Sequence, residues 1–336
     1  MNEVNEKRNS KGLILVSIIV LLIVGLGTFF LIRYLNGEKK TPPEELTPPT
    51  EEKEKITPLM YEITKEGSDN KIYLIGSIHY ANIPKLEFPK YVMDAYNNSN
   101  YMACEFDIVK TLENLDQTEL LAEYYYTAPD SLDKHVSKES YDKIIKYMND
   151  TFKYDEEQVK ILSLTYIDAL LTQLAIAKSD IGNTQEGVDT YFLNKAHAEN
   201  KKILEVESYE FQDNLEKSFP DRVKELGIID AIENFDDGIQ DLNDLYDGWK
   251  KGDLEKLNKL LTEEDMDDYS EEDKALMKDY NKKMLDDRNI GMRNKLEEYF
   301  NNGYTVFYMV GAAHLIGDNG IAKLVELDGY TVTRVQ

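Results

Sequence analysis

Two distant segments of this chain share one pattern: an apolar run, a glycine, two further residues and a histidine. The first is Ile72-Tyr73-Leu74-Ile75-Gly76-Ser77-Ile78-His79, and the second runs from Tyr304 through Val306-Phe307-Tyr308-Met309-Val310-Gly311-Ala312-Ala313 to His314. Short apolar runs closed by glycine read as sheet strands, and a glycine at a strand end permits a tight turn or a close approach of backbone. A chain with both segments has to be an α/β protein that delivers two histidines at the carboxyl ends of two strands, where such sheets build their sites. There are only four histidines among 336 residues, so the matched pair marks the place to look for function. A neutral imidazole is both a common metal ligand and a base suited to neutral pH.

The run Leu13–Ile32 holds 20 residues without a charge, enough to cross a hydrocarbon layer of about 30 Å. It is too long for the apolar core of a signal peptide and lacks a small-residue cleavage site. Residues 13–34 are therefore expected to be an uncleaved transmembrane anchor, with residues 1–12 as a short inner tail. Basic residues flank the run on both sides (Lys7, Arg8 and Lys11; Arg33, Lys39 and Lys40), so charge gives no orientation. Residues 35–58 are rich in Pro, Glu, Lys and Thr, which cannot bury enough apolar surface to order itself, and read as a linker. The remaining domain, 59–336, is expected outside the cell membrane.

The net charge of −25 repels phosphate backbones and excludes nucleic acid as a partner. Cys104 is the single cysteine, so the chain forms no internal disulfide; in an apolar run it reads as a buried small side chain.

Within the body, Leu59–Thr64 and Lys71–Ile75 form a hairpin through Gly67-Ser68-Asp69-Asn70, followed by a helix over 90–98 and a strand over Tyr101–Glu105. A large helical middle follows, about 111–302, interrupted by one strand over 201–207. In it, Tyr141, Ile144, Ile145 and Met148 make one helical stripe, Val159–Ala177 reads as one buried helix, and a long helix covers about 271–300. The C-terminus returns to strand, helix and strand, with Asp318 or Asn319 expected to cap the helix Ile321–Leu327. The expected class is α/β (α+β): a mixed sheet flanked by helices, with one transmembrane helix before it.

Glu105 closes an apolar run at a strand end. A carboxylate there would complete a metal site with His79 and His314, or act as a base on bound water; a plain surface carboxylate is the alternative among 64 acidic residues. Asp189 in Gly187-Val188-Asp189, Glu205 and Glu207 around the middle strand, and Arg288-Asn289 in the last long helix are candidates to support the site or touch substrate. His135 and His197 read as surface residues. The serine-hydrolase elbow, the His-Glu-x-x-His pair, the Walker loop and the dinucleotide Gly-x-Gly-x-x-Gly are all missing.

These residues resemble the TraB/PrgY/GumN family, which includes the Tiki metalloproteases of animals. The likeness rests on Gly76-Ser77-Ile78-His79, on Glu105, on Gly187-Val188-Asp189 with Phe192 and Ala196 behind it, and on Leu204-Glu205-Val206-Glu207-Ser208 with Gln212. Arg288-Asn289 and the closing Val310-Gly311-Ala312-Ala313-His314-Leu315, Gly317, Gly320 and Gly329-Tyr330 complete it. It spans about 61–335. Many relatives carry a Pro-Trp near Leu162–Leu170 that this chain lacks, and Gly-Ser-x-His stands here for Gly-Thr-x-His.

The resemblance implies that both histidine motifs and the glutamate converge on one site. The Tiki branch consists of metal-dependent peptidases that prefer manganese- or cobalt-type ions, the TraB and PrgY branch is linked to silencing peptide pheromones, and a wider tie to erythromycin esterases offers a metal-free route. The expectation is thus an outward-facing, membrane-anchored peptidase acting on peptides or exposed protein chain ends. Its divalent metal (Mn, Co or Zn) would be held by His79, Glu105 and His314. Arg288 is expected to stabilise the oxyanion, with Gly76, Ser77, Asp189, Glu207, Asn289 and Gly311 either touching the substrate or supporting the residues that do. The alternatives are a protein that captures peptide signals without cutting them and a metal-independent esterase-like hydrolase with His79 as base.

Overall fold

The structure is a computed structural model that describes residues 52–336 apart from 115–116, 183, 185 and 263–265. The expected transmembrane anchor, the inner tail and most of the linker lie outside the described residues. No helix among the described residues is long and apolar enough to cross a membrane.

At its centre is a mixed six-stranded sheet. Its strands are β2 (Met60–Thr64), β3 (Ile72–Ser77), β5 (Tyr101–Cys104), β6 (Lys202–Glu205), β7 (Val306–Gly311) and β8 (Thr331–Arg334). The order is β6-β5-β7-β3-β2-β8. β6, β5, β7 and β3 run parallel, and β2 pairs antiparallel with both β3 and β8. A small parallel pair joins β1 (Glu54–Lys55) to β4 (Leu86–Glu87), so the last residues of the Pro/Glu/Lys-rich segment pack on the domain.

β7 is buried along its whole length, as befits a central parallel strand read as a continuous Val, Phe, Tyr and Met run. It is the last of the four parallel strands in the chain and inserts between β5 and β3. That insertion sets the two histidine motifs side by side, in a register that matches Gly76 with Val310 and Ser77 with Gly311.

The middle region is helical and has a core of its own, in which Ile144, Met148, Val159, Ile167 and Leu171 meet Ile228. The stripe predicted from Tyr141 to Met148 lies on helix Lys138–Phe152, with Ile144 and Met148 buried. The single buried helix expected over 159–177 is instead two. Helix Glu156–Lys160 ends, the Ser163 N–H bonds the Tyr124 carbonyl, and the Ser163 hydroxyl caps a new helix, Leu164–Lys178. A side-chain cap and a backbone partner outside the helix together outweigh the apolar continuity of the sequence.

The expected long helix also changes character midway: Glu271–Asn281 and Arg288–Asn301 are α-helical, and Lys282–Asp287 between them is a π-helix. Helix Ile321–Leu327 stands as predicted, but its N-cap is Gly320 with no side-chain cap; neither Asp318 nor Asn319 serves.

Candidate active site

The three central strands β3, β7 and β5 each end at a functional group. His79 follows β3, His314 lies in the 3-10 turn Ala312–Leu315 after β7, and Glu105 follows β5 directly. Gly76 makes the first junction possible, since a Cβ there would lie 2.9 Å from the Ala312 Cα. Gly311 is the centre of the group: an added Cβ would stand 3.4 Å from Glu105 Oε1, 3.6 Å from His314 Cδ2 and 3.9 Å from His79 Nε2.

Each histidine is held by its Nδ1, which turns Nε2 inward. His79 Nδ1 lies 2.9 Å from Asp189 Oδ2, and Asp189 Oδ1 accepts a 2.6 Å bond from the Ser77 hydroxyl. Asp189 sits in the first turn of helix Val188–Glu199, where a carboxylate is favoured by the helix dipole. The segment before it runs as a strap beside the first motif, with Val188 N–H bonded to the Ile78 carbonyl and Ala81 N–H to that of Glu186. Gly187 lies so close that a Cβ would fall 2.1 Å from the His79 carbonyl oxygen. That contact is the physical reason for glycine in Gly-Val-Asp.

His314 is fully buried, and its Nδ1 stands 2.6 Å from Asn289 Oδ1. Asn289 Nδ2 donates to the Asn319 carbonyl at 3.0 Å, so Oδ1 has to accept and His314 Nδ1 has to carry the hydrogen. The Nε2 lone pair is then left without a hydrogen-bond partner in a buried place. Burial and the nearby Arg288 cation bring the His314 pKa down to about 3, which keeps the ring neutral. For His79, burial opposes protonation, but the Asp189 carboxylate and its hydrogen bond outweigh it and raise the pKa above the ordinary histidine value.

Glu105 is nearly as constrained. Its Oε1 accepts from the Gly311 N–H at 2.9 Å, and Oε2 accepts from Arg288 Nη2 at 2.7 Å and Gln212 Nε2 at 2.9 Å. Burial alone would raise its pKa; Arg288, the two histidines and the Gly311 N–H hold it well below the usual carboxylate range. Glu207 lies alongside because the pairing of β5 and β6 continues past both strands, with Glu207 N–H on the Glu105 carbonyl at 2.8 Å. It shares both donors, taking Arg288 Nε at 3.0 Å and Gln212 Nε2 at 2.7 Å.

The structure therefore brings together ten of the eleven residues singled out from the sequence; Glu205 instead accepts the Asp107 N–H at 3.0 Å. Arg288 donates to Glu105, to Glu207 and to the Met284 carbonyl. With its guanidinium so engaged, it positions both carboxylates. Asn289 orients a histidine, the supporting one of the two roles expected for it. Gln212, known from the sequence only as a motif residue, bridges both glutamates; a single Gln inside an amphipathic helix carries no local sign of that. His197 lies outside this group, on Asp107 at 2.9 Å, and His135 is stacked on Tyr126 between Asp130 and Asp221.

Among the described residues, no group of three or more His, Cys, Asp and Glu stands ready to hold a metal ion. His314 Nε2 and Glu105 Oε1 lie 3.9 Å apart.

Fold and site together define an α/β protein with a buried His–His–Glu centre at the carboxyl edge of its sheet. A model of the TraB/PrgY/gumN family matches residues 59–334, and the chain belongs to that family. No curated protein and no solved structure matches it.

Proposed function

We propose that the protein is a hydrolase of peptide bonds, reacting at the centre framed by His79, His314 and Glu105, with a divalent cation of the manganese, cobalt or zinc kind. The observation that carries this reading is the buried, partnerless Nε2 of His314, 3.9 Å from Glu105 Oε1. Donors that bond one ion at about 2.0–2.2 Å stand no more than about 4.4 Å apart, so this separation is compatible with a shared ion.

The donor chemistry fits as well. An Nδ1 held by a carboxylate or an amide oxygen is the usual outer support of a metal-binding histidine, and here Asp189 and Asn289 supply one each. Glu105, Glu207 and Asp189 against Arg288 leave an excess of two negative charges, which a divalent cation would balance. When bound, such an ion polarises a scissile carbonyl and acidifies a water. The residues do the rest: Asp189 and Asn289 fix the rings, Arg288 and Gln212 fix Glu105, and Glu105 Oε1 beside Gly311 would either bind the ion or take the proton of the water.

The test is metal content and turnover of the purified protein against a peptide library, with His79→Ala and His314→Ala alongside. Bound metal that both variants lose, with chelator-sensitive cleavage, supports the reading. Near-normal cleavage by both variants would sink it, and product-free peptide retention would replace it with a capture protein.

The carboxylate-supported His79 favours one rival, a metal-independent hydrolase with His79 as base; activity that resists chelation but needs His79 would select it. We further propose that the domain works outside the membrane, tethered by Leu13–Ile32, a reading supported by the uncharged length of that run.

A further inference from the structure

An apolar cavity lies directly against the His79 and Gly311 end of the site. Its wall is almost entirely carbon, from Ile176, Ile181, Leu242, Leu245, Trp249 and Leu261, and it also takes in His79, Gly311 and Ala312. These apolar side chains come from three helices, Leu164–Lys178, Phe235–Lys251 and Leu254–Thr262, and from the loop that holds Ile181. The cavity has a volume of about 40 Å³, room for about three waters. Waters there would find few polar partners, whereas interiors are otherwise packed to the density of organic crystals.

We propose that this cavity receives one small branched aliphatic side chain, that of valine, leucine or isoleucine, from the residue next to the bond placed at Gly311. The inference rests on the peptide-hydrolase reading and adds its specificity. Three features select the occupant. The lining is apolar, the room suits three or four carbons and not an aromatic ring, and the wall includes Ser77, His79 and Gly311 of the reacting centre. An occupant must therefore carry its apolar branch within a few atoms of a carbonyl, as a peptide residue does.

Trp249 makes the proposal testable without turnover. It is the only tryptophan of the chain, it is buried, and its Nε1–H is tied to the Gly76 carbonyl at 3.0 Å, so its emission reports on both cavity and motif. The experiment titrates the full protein with blocked tetrapeptides that differ at one position (Gly, Leu or Phe), exciting at the red edge where tyrosine does not absorb. Each buried carbon strengthens binding about fourfold, so the leucine peptide, with its four-carbon side chain, is expected to bind about 250-fold tighter than the glycine peptide and to shift the emission.

Leu261 sits half-buried in the cavity wall and outside the reacting centre. Leu261→Phe is expected to abolish the leucine preference, and Leu261→Ala to extend binding to the phenylalanine peptide, both with the melting temperature near that of the parent. Equal responses to the leucine and glycine peptides, or a leucine preference that survives Leu261→Phe, would overturn the proposal. If the peptides bind with this preference but none is cut, the cavity assignment stands and the hydrolase reading falls. Cleavage indifferent to the aliphatic residue has the opposite meaning.

Discussion

His314 Nδ1 and Asn289 Oδ1 stand 2.6 Å apart, and this one bond decides which nitrogen of the ring faces the site. The direction of the bond follows from the other end of the amide, where Asn289 Nδ2 donates to the Asn319 carbonyl.

Replacing Asn289 with Ala therefore frees the ring to rotate and to exchange tautomers. Loss of such an outer partner typically costs 10–100-fold in metal affinity or activity, and a loss in that range is expected here. Melting should fall only modestly, by about 1–3 kcal/mol for the unsatisfied buried groups. Metal titration and turnover of Asn289→Ala against the parent check it; parent-like metal affinity would show that His314 needs no such support.

Among the described residues, Arg288 is the only cation bonded to Glu105 and Glu207. Arg288→Met would leave two buried carboxylates facing each other, and removing one partner of a buried ion pair costs about 3–5 kcal/mol. Arg288→Lys should recover little, because an ammonium cannot span both carboxylates as the planar fork does. Denaturant midpoints of the two variants, read beside Glu207→Gln/Arg288→Met, would separate the charge effect from packing: the double variant should regain part of the loss.

Gly187 passes the His79 backbone with no room for a side chain. Gly187→Ala has to push the strap away from Ile78 and His79, so Asp189 loses its place on the His79 ring. Lower stability together with loss of site function is expected, while alanine at Gly291, where an added Cβ meets nothing, should leave both unchanged. Circular-dichroism melts and metal content of the two variants make the comparison.

The pH dependence of metal uptake follows from the two unlike histidines. With a pKa of about 3, His314 is already neutral across the working range. The pKa of His79 is raised, with burial opposed and outweighed by Asp189, so His79 has to shed its proton before it can coordinate. Uptake should release a proton and weaken as pH falls through the raised His79 value. Asp189→Asn removes the carboxylate that raises that pKa, so the acid limb should move to lower pH. Calorimetry in buffers of different ionisation enthalpy measures the proton count; an unmoved limb in Asp189→Asn would assign it to another group.

The elements around the site were legible because their signals are local. An apolar run, a glycine and a histidine are neighbours in the chain, and they do form β3 and β7 with their turns. Glu105 was legible by its place after a strand, and Asp189 and Glu207 by their place in motifs. The break at Ser163 and the π-helix before Arg288 were not, since apolar spacing continues smoothly across both. Nor was the role of Gln212, which depends on two carboxylates from other elements.

What the sequence determined by itself was therefore the class of fold, the pieces of the site and the strand ends that carry them. Those follow from periodicity and from the backbone freedom of glycine, which act over a few residues. Only the tertiary structure decided that β7 lies between β5 and β3, that Arg288 and Gln212 brace Glu105, and that an apolar cavity adjoins His79. Those depend on contacts between residues far apart in the chain, whose pairing is set by how the whole core packs.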